Sequence, residues 1–172
     1  FVILVDMLKA FIAVKLGSTV FDAYLGRRLE GEYFSALFCV IGHIFPAFYS
    51  FKGGKGIAST IGVMIVCESV HGIGWASVII MALVAAVVFI YFTEFGAMGS
   101  FIAITPPAIS GSIRLLLDYQ EYTDTATVAF RVVTNVLILA ICFFTWFAHR
   151  KNIERMLAGE EHPTSIKGMV VK

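Results

Sequence analysis

Apolar residues fall into six long runs that are separated by shorter polar or glycine-rich connections. The runs cover residues 1–16, 34–50, 57–67, 75–92, 97–113 and 126–147. A helix needs about 20 apolar residues to cross a bilayer, and the 75–92 run, with Trp75 and Tyr91 as interface anchors, is the clearest span. The pattern therefore predicts an all-α, polytopic helical membrane protein with six spans in this chain.

The connections predict where the helices end. We expect polar loops at 17–33 and 114–125 and a tight turn at 93–96. Pro106 and Pro107 lack backbone donors, so they are expected to kink or break the helix of the 97–113 run. No internal repeat or low-complexity tract divides the sequence, and residues 1–172 are expected to form one integral-membrane domain.

The composition agrees with a membrane protein and excludes several function classes. Hydrophobic residues make up 59% of the chain and charged residues 15%, against about 45–50% and about 25% in soluble domains. The net charge of +1, without a basic stripe, gives no case for a nucleic-acid partner. The three cysteines show no metal-binding or disulfide spacing, so we expect no metal and no cofactor.

A cationic, glycine-rich segment, FKGGKGIAST at 51–60, separates two apolar runs. Its glycines allow close approach of backbone to a ligand, and its lysines precede the expected start of a helix, where anions bind well. The segment therefore predicts a phosphate cradle made of bare backbone N–H groups and ammonium groups. It is not a nucleotide-binding P-loop, because Lys55 is followed by Gly56. A basic turn at the membrane surface is an equally good interpretation of the pattern alone.

Two further groups of polar residues are candidates for chemistry. His43 precedes the glycine-rich segment, and His149, Asn152 and Arg155 share one face of a helix after the last apolar run. Imidazole, amide and guanidinium groups together can bind hydroxyls and an anion. The alternatives are a histidine bonded inside the bundle and basic residues that only contact lipid headgroups; for Lys151 we adopt the second.

An ionisable pair interrupts the first apolar run. Asp6 and Lys9 are three residues apart, so they share a helix face and can neutralise each other. Ionisable groups within spans usually face protein or water and often serve function. An ion pair near the membrane interface is the simpler interpretation, and we favour it here.

Basic residues predict the orientation of the chain in the membrane. If the spans alternate, seven basic residues share one side: Lys52, Lys55, Arg150, Lys151, Arg155, Lys167 and Lys172. At most four lie on the other: Lys15, Arg27, Arg28 and Arg114. The positive-inside rule assigns the first side, with the glycine-rich segment, to the cytoplasm.

Four motifs occur in order along the chain. They are DMLKA at 6–10, GHIFPAF at 42–48, FKGGKGIA at 51–58, and HRKNIER at 149–155 with Gly159 and Glu161. In this the sequence resembles the bacterial acyl-phosphate:glycerol-3-phosphate acyltransferases of the PlsY type. The resemblance implies a seven-span fold in the bacterial plasma membrane. It also implies transfer of a fatty acyl group from acyl phosphate to the 1-hydroxyl of glycerol-3-phosphate, giving lysophosphatidic acid without a metal, acyl-CoA or acyl carrier protein.

The resemblance also assigns roles to residues. Lys55, His149 and Asn152 would be catalytic. The residues that bind substrate and phosphate would be His43, Lys52, Gly53, Gly54, Gly56, Ser100, Arg155 and Glu161. Glycerol-3-phosphate, fatty acyl phosphate and membrane lipids would be the partners. The resemblance also implies that the substrate hydroxyl attacks the acyl phosphate directly and that the phosphate leaving group can take the proton. This fits the sequence, which suggests no nucleophile with a dedicated base.

The chain departs from the family pattern in two places. The first span and the Ser-Gly-Asn-type loop that follows it are absent, so we expect part of the site to be missing and this piece alone to be weakly active or inactive. The family's Arg-Tyr-Val-Ser-Leu-(Gly/Ser)-Ser turn reads EFGAMGS at 94–100, with Glu94 for Arg and Ala97 for the first Ser. A non-catalytic membrane subunit is therefore one alternative. An anion transporter is another, although no repeated half supports it.

Overall fold

The computed structural model describes residues 2–69, 73–118, 125–160 and 164, and these ranges contain helices and no β-strand. The helices are α1 (Val2–Leu25), α2 (Arg28–Ile44), α3 (Ile57–Ser69), α4 (Ile73–Thr93), α5 (Gly96–Asp118), α6 (Thr125–Ala148) and α7 (Arg150–Leu157), with a 3₁₀ turn at Ala47–Tyr49. The predicted all-α class is confirmed, as is the tight turn between α4 and α5.

Four of the described helices, α2, α4, α5 and α6, are long and apolar enough to cross a membrane. The helix α3 is apolar but shorter, and α1 carries Asp6, Lys9, Lys15 and Asp22 along its 24 residues. The polytopic membrane architecture is therefore confirmed, whereas the number of six spans stays a prediction.

The predicted polar loop at 17–33 is wrong. The helix α1 continues to Leu25 and α2 begins at Arg28, and the turn between them uses Gly26 at a φ of +62°. Polar side chains in this stretch do not end the helix because they bond locally; Ser18 Oγ, for example, donates to the Lys15 carbonyl at 2.9 Å. Helices in a membrane hold such groups whenever the backbone or a neighbour satisfies them.

Small residues let α1 and α2 pack closely. A Cβ added at Gly17 would overlap the Ser35 side chain, and one at Gly31 would overlap Phe21. Glycine at such crossings is typical of membrane helices, where backbone proximity replaces a hydrophobic driving force. Gly17 is therefore a packing residue inside a helix, although its sequence context suggested a loop.

The predicted break at Pro106 and Pro107 is wrong, since α5 is continuous from Gly96 to Asp118, whereas a kink at the two prolines stays a prediction. Pro107 is fully buried, and its neighbour Ile104 has no exposed surface. Ser110 Oγ donates to the Pro107 carbonyl at 2.9 Å. Tertiary packing and side-chain bonds thus hold the helix through the two prolines, as neighbouring helices do for prolines in other membrane spans.

The large apolar side chains lie mostly outside the bundle. Leu16, Phe38, Met81 and Phe143 are more than half exposed, whereas the buried core contains many small residues such as Ala36. This distribution suits a protein whose solvent is hydrocarbon, in which small residues let the helices approach one another. Helix α1 packs on α2 and α3, α2 on α6, and α4 on α5.

We predict that the α1–α2 crossing is sensitive to a single methyl group. Gly31→Ala should lower the free energy of unfolding by about 1–3 kcal/mol, because the new Cβ meets the Cβ of Phe21 and the helices must separate. Gly42→Ala is the matched control in the same helix: no atom lies within 4 Å of its Cβ, so the helix propensity of alanine should stabilise the protein by up to about 1 kcal/mol. Denaturant unfolding in detergent micelles measures both, and equal effects would contradict this packing.

Candidate functional site

A cavity of about 600 Å³ lies at one end of the bundle. There α2 ends, α3 and α5 begin, and α6 passes into α7. Seven of the residues proposed from the sequence line this cavity: His43, Lys55, Gly56, Ser100, His149, Asn152 and Arg155. The other lining residues are Ile57, Ala58, Gly96, Ala97 and Thr164. The glycine-rich segment and the His149 helix, far apart in sequence, therefore share one concave site.

Two helix N-termini open onto the cavity. Ile57 and Ala58 form the start of α3, and Gly96 and Ala97 the start of α5. The first N–H groups of an α-helix have no acceptor within the helix, and the helix dipole places partial positive charge there. Both walls therefore favour an anion. Gly56, at a φ of +82°, turns the loop into α3 in a conformation that favours glycine.

The charged side chains at the cavity are cationic. Lys55 and Arg155 line it, and none of the described lining residues is acidic. The Nε atom of Arg155 is buried and has no hydrogen-bond partner among the described residues. An unsatisfied charged donor of this kind is costly unless a ligand accepts from it, which favours an anion near this side chain.

His149 is fixed by bonds that join α6 to α3. The ring is 2% exposed, its Nδ1 lies 2.9 Å from the Thr145 carbonyl, and its edge packs on Phe101. Because a carbonyl only accepts, Nδ1 is the donor. The Thr145 hydroxyl donates to Ile141 O at 3.0 Å and lies 2.7 Å from the Thr60 hydroxyl. The imidazole and the first turns of α3 are therefore held in one frame.

His43 lies at the end of α2 against two residues of α1. Lys9 Nζ donates to Asp6 Oδ1 at 2.7 Å, which confirms that the two side chains pair. The same ammonium lies 2.5 Å from His43 Nδ1. The pair is therefore not only an interface ion pair, because it contacts a residue of the cavity wall.

The predicted cradle of bare N–H groups at Gly53 and Gly54 is wrong. The Gly53 N–H donates to the Ile44 carbonyl at 3.1 Å, and the Gly54 N–H donates to the His43 carbonyl at 3.2 Å. The last carbonyls of a helix lack partners within it, and the loop supplies donors for them. A Cβ at Gly53 would overlap the His43 carbonyl, so glycine is required for this contact with α2.

Not every candidate residue reaches the main cavity. Lys52, Gly53 and Gly54 line a separate space of about 290 Å³ with Arg150 and Lys151. The loop thus contributes only its second half, Lys55 and Gly56, to the main cavity. Glu161 lies outside the residues that the structure describes.

Sequence reasoning missed the supporting residues of the site. Thr145 holds His149 and is itself bonded to Thr60. Thr60 belongs to the predicted segment at 51–60, whereas the only sequence signal for Thr145 is its position one turn before His149. Thr164 lines the cavity and its N–H donates to the Glu94 carbonyl at 2.7 Å. No local pattern predicts contacts between segments so distant along the chain.

Glu94 and Ala97, the two residues of the α4–α5 turn that depart from the family pattern, lie in different positions relative to the cavity. Ala97 is 3% exposed and lines the cavity, so the missing hydroxyl falls on the cavity wall. Glu94, at a φ of +61°, donates its N–H to the Ile90 carbonyl at 2.8 Å and thereby ends α4. Its side chain is not among those that line the cavity.

Comparison with known proteins identifies the family of this chain. A family model described as glycerol-3-phosphate acyltransferase matches residues 1–159. The glycerol-3-phosphate acyltransferase of Desulfotalea psychrophila is 33% identical over 159 residues, which cover 92% of this chain and 70% of that protein. The resemblance drawn from the four motifs is therefore confirmed.

Solved structures support the same relationship. The lysophosphatidic acid form of PlsY (YgiH), an integral membrane glycerol 3-phosphate acyltransferase, superposes with a TM-score of 0.65 at 25% identity, covering 94% of this chain and 70% of that one. The glycerol 3-phosphate form gives a TM-score of 0.69 at 23% identity, covering 99% and 73%, and supports the fold. Because the family model matches residues 1–159 of 172, this chain belongs to the glycerol-3-phosphate acyltransferase family of membrane enzymes.

Proposed function

We propose that this acyltransferase takes its acyl group from a fatty acyl phosphate and transfers it to the 1-hydroxyl of glycerol-3-phosphate, giving lysophosphatidic acid and inorganic phosphate. The observation that carries the proposal is the cavity in which two helix starts meet Lys55 and Arg155 without a described carboxylate. Both substrates carry phosphate, and helix N-termini with cationic side chains favour phosphate. The volume of about 600 Å³ is within the range of small-molecule sites, about 300–1,000 Å³.

Lys55, Arg155 and the start of α3 hold phosphate in this proposal. Lys55 and Ile57 lie at the same wall of the cavity, and Arg155 brings a buried Nε that has no described partner. Asn152 lies on the same helix and lines the same cavity, and its amide both donates and accepts hydrogen bonds. It is therefore suited to orient the glycerol hydroxyls.

The transfer itself needs no covalent enzyme intermediate. The oxygen of the 1-hydroxyl attacks the carbonyl carbon of the acyl phosphate, a new C–O ester bond forms, and the bond from that carbon to the phosphate oxygen breaks. The departing phosphate takes the hydroxyl proton. Since His149 Nδ1 donates to the Thr145 carbonyl, Nε2 of the neutral ring is an acceptor that can orient the hydroxyl. The protein thus contributes orientation and charge stabilisation.

The cavity faces the cytoplasm in this proposal, and the membrane is the bacterial plasma membrane. Lys52, Lys55, Arg150, Lys151 and Arg155 all line the two neighbouring spaces at this end of the bundle, and the positive-inside rule assigns such an end to the cytoplasm. Glycerol-3-phosphate is water-soluble and approaches from that side. The acyl chain of the donor lies in the membrane, alongside the exposed apolar side chains of the helices.

The function is tested by reconstituting the purified intact protein in liposomes with glycerol-3-phosphate and an acyl donor. Acyl phosphate should give lysophosphatidic acid and an equal amount of inorganic phosphate, whereas acyl-CoA should give neither, because the mechanism depends on phosphate as the leaving group. Mass spectrometry and a phosphate assay measure the two products. Binding of glycerol-3-phosphate without release of phosphate would overturn the proposal and favour a non-catalytic role. Uptake without chemical change would favour a transporter.

Loss of the Lys55 ammonium is predicted to abolish most of the turnover. Lys55→Ala should lower kcat/KM by about 10²–10³-fold, the effect of removing one group that stabilises transition-state charge. Lys151→Ala is the control: Lys151 is exposed and outside the main cavity, so kcat/KM should stay within about twofold of the wild type. The liposome assay measures both, and an unchanged Lys55→Ala variant would place the chemistry elsewhere.

A hydroxyl at position 97 is predicted to strengthen substrate binding. Ala97→Ser adds a donor at the start of α5 on the cavity wall, and one new hydrogen bond to phosphate should lower the KM for glycerol-3-phosphate by about 2–10-fold. Ala103→Ser, a buried position further along α5 and not at the cavity, should leave KM unchanged. Steady-state kinetics decide the matter, and equal KM values for the wild type and Ala97→Ser would show that no substrate oxygen lies there.

A further inference from the structure

Three ionisable side chains from two helices meet behind one wall of the cavity. Lys9 Nζ lies 2.7 Å from Asp6 Oδ1 and 2.5 Å from His43 Nδ1, and Nδ1 lies 3.4 Å from the same carboxylate oxygen. The carboxylate is 15% exposed, the imidazole 18% and the lysine side chain 38%. Asp6 and Lys9 do not line the cavity, whereas His43 does.

The contact between Lys9 and His43 fixes the protonation of the ring. An ammonium group has three donors and no acceptor, so Nδ1 must present its lone pair to Lys9, and the proton of the neutral imidazole is on Nε2. A second ring proton would bring two positive charges into contact, which disfavours the imidazolium. We infer that Asp6 and Lys9 are positioning residues that hold His43 as a neutral imidazole with its proton on Nε2.

The other groups around His43 agree with this assignment. Lys55 and Arg155 line the same cavity as His43, and their positive charges add to that of Lys9. The ring of His149 lines the cavity too, with its Nδ1 donating to the Thr145 carbonyl. Cys39 lies one turn earlier on α2 and carries no charge as a thiol. Among the described residues that face the ring, Asp6 is the carboxylate, and its Oδ1 already accepts from Lys9.

The contact between Gly54 and the His43 ring is a second observation on the placement of this ring. A Cβ added there would overlap His43 Nε2, so the ring occupies that space and packs directly on the Gly54 backbone. Because His43 lines the cavity, the Nε2–H group is the donor that the ring offers there in this inference. This role as a donor to a substrate oxygen rests on the proposed function; the tautomer itself does not.

The tautomer is tested by NMR on the protein in lipid nanodiscs with ¹³C,¹⁵N-labelled histidine, using His43→Gln to assign the signal. At pH 8 the wild type should show the Nε2–H form, and on acidification it should keep that form to a lower pH than Lys9→Met does. In Lys9→Met, Nδ1–H should appear at high pH, donating to Asp6, and the imidazolium should form on acidification. Lys15→Met, the same change further along α1, should keep the wild-type signal. A wild-type ring in the Nδ1–H form, or one that titrates like that of Lys9→Met, overturns the inference even if Lys9→Met fails to fold.

The pH dependence of kcat distinguishes a positioning role of Lys9 from a purely structural one. In Lys9→Met the Nε2 donor is lost at pH 8 and returns when the ring protonates, so the ratio of kcat at pH 6 to kcat at pH 8 should rise by about tenfold, the effect of one hydrogen bond. Lys9→Arg keeps a donor toward Nδ1 and should restore the wild-type ratio. Equal losses at both pH values would overturn the positioning role. If the wild type makes no product from acyl phosphate, the proposed function fails, while the NMR result still decides the tautomer.

Discussion

The site depends on which groups donate hydrogen bonds to the last carbonyls of α2. Its last carbonyls accept hydrogen bonds from the Gly53 and Gly54 N–H groups, since a buried carbonyl without a donor at the membrane boundary is costly. These bonds fold the loop back onto α2 and bring Lys55 beside the start of α3. The glycines are therefore essential for a reason other than direct contact with phosphate: they cap one helix and aim the next one at the cavity.

The cavity combines features from segments that are distant in sequence. The loop supplies Lys55, the α4–α5 turn supplies the start of α5, and the helix after α6 supplies Asn152 and Arg155. Each of these groups attracts an anion only modestly. All of them line one cavity, and none of its described lining residues is acidic. The family relationship agrees with a phosphorylated acyl acceptor in this space. In the proposed mechanism the protein contributes charge stabilisation rather than a nucleophile.

Much of the fold was predictable because apolar runs of span length have few alternatives in a membrane. The helices α3, α4 and α6 begin and end close to the predicted positions. His43 lines one cavity together with His149, Asn152 and Arg155. Local reasoning failed where a neighbour decides the outcome. The 17–33 loop is helical because Gly17 packs on α2, and Lys9 and His43 meet across 34 residues of sequence. The hydrogen bonds from the loop N–H groups to the end of α2 likewise depend on the folded chain and cannot be predicted from a short stretch of sequence.

The hydrogen bond between the Thr60 and Thr145 hydroxyls has a mechanical consequence. Thr60 lies in the first turn of α3, near the proposed phosphate position, and Thr145 carries the carbonyl that orients His149. A shift of either helix end therefore displaces the anion-binding wall and the imidazole together. Such a strut lets the two halves of the reaction centre keep their spacing while the surrounding lipid-facing helices fluctuate, so substrate meets dipoles that need little reorganisation.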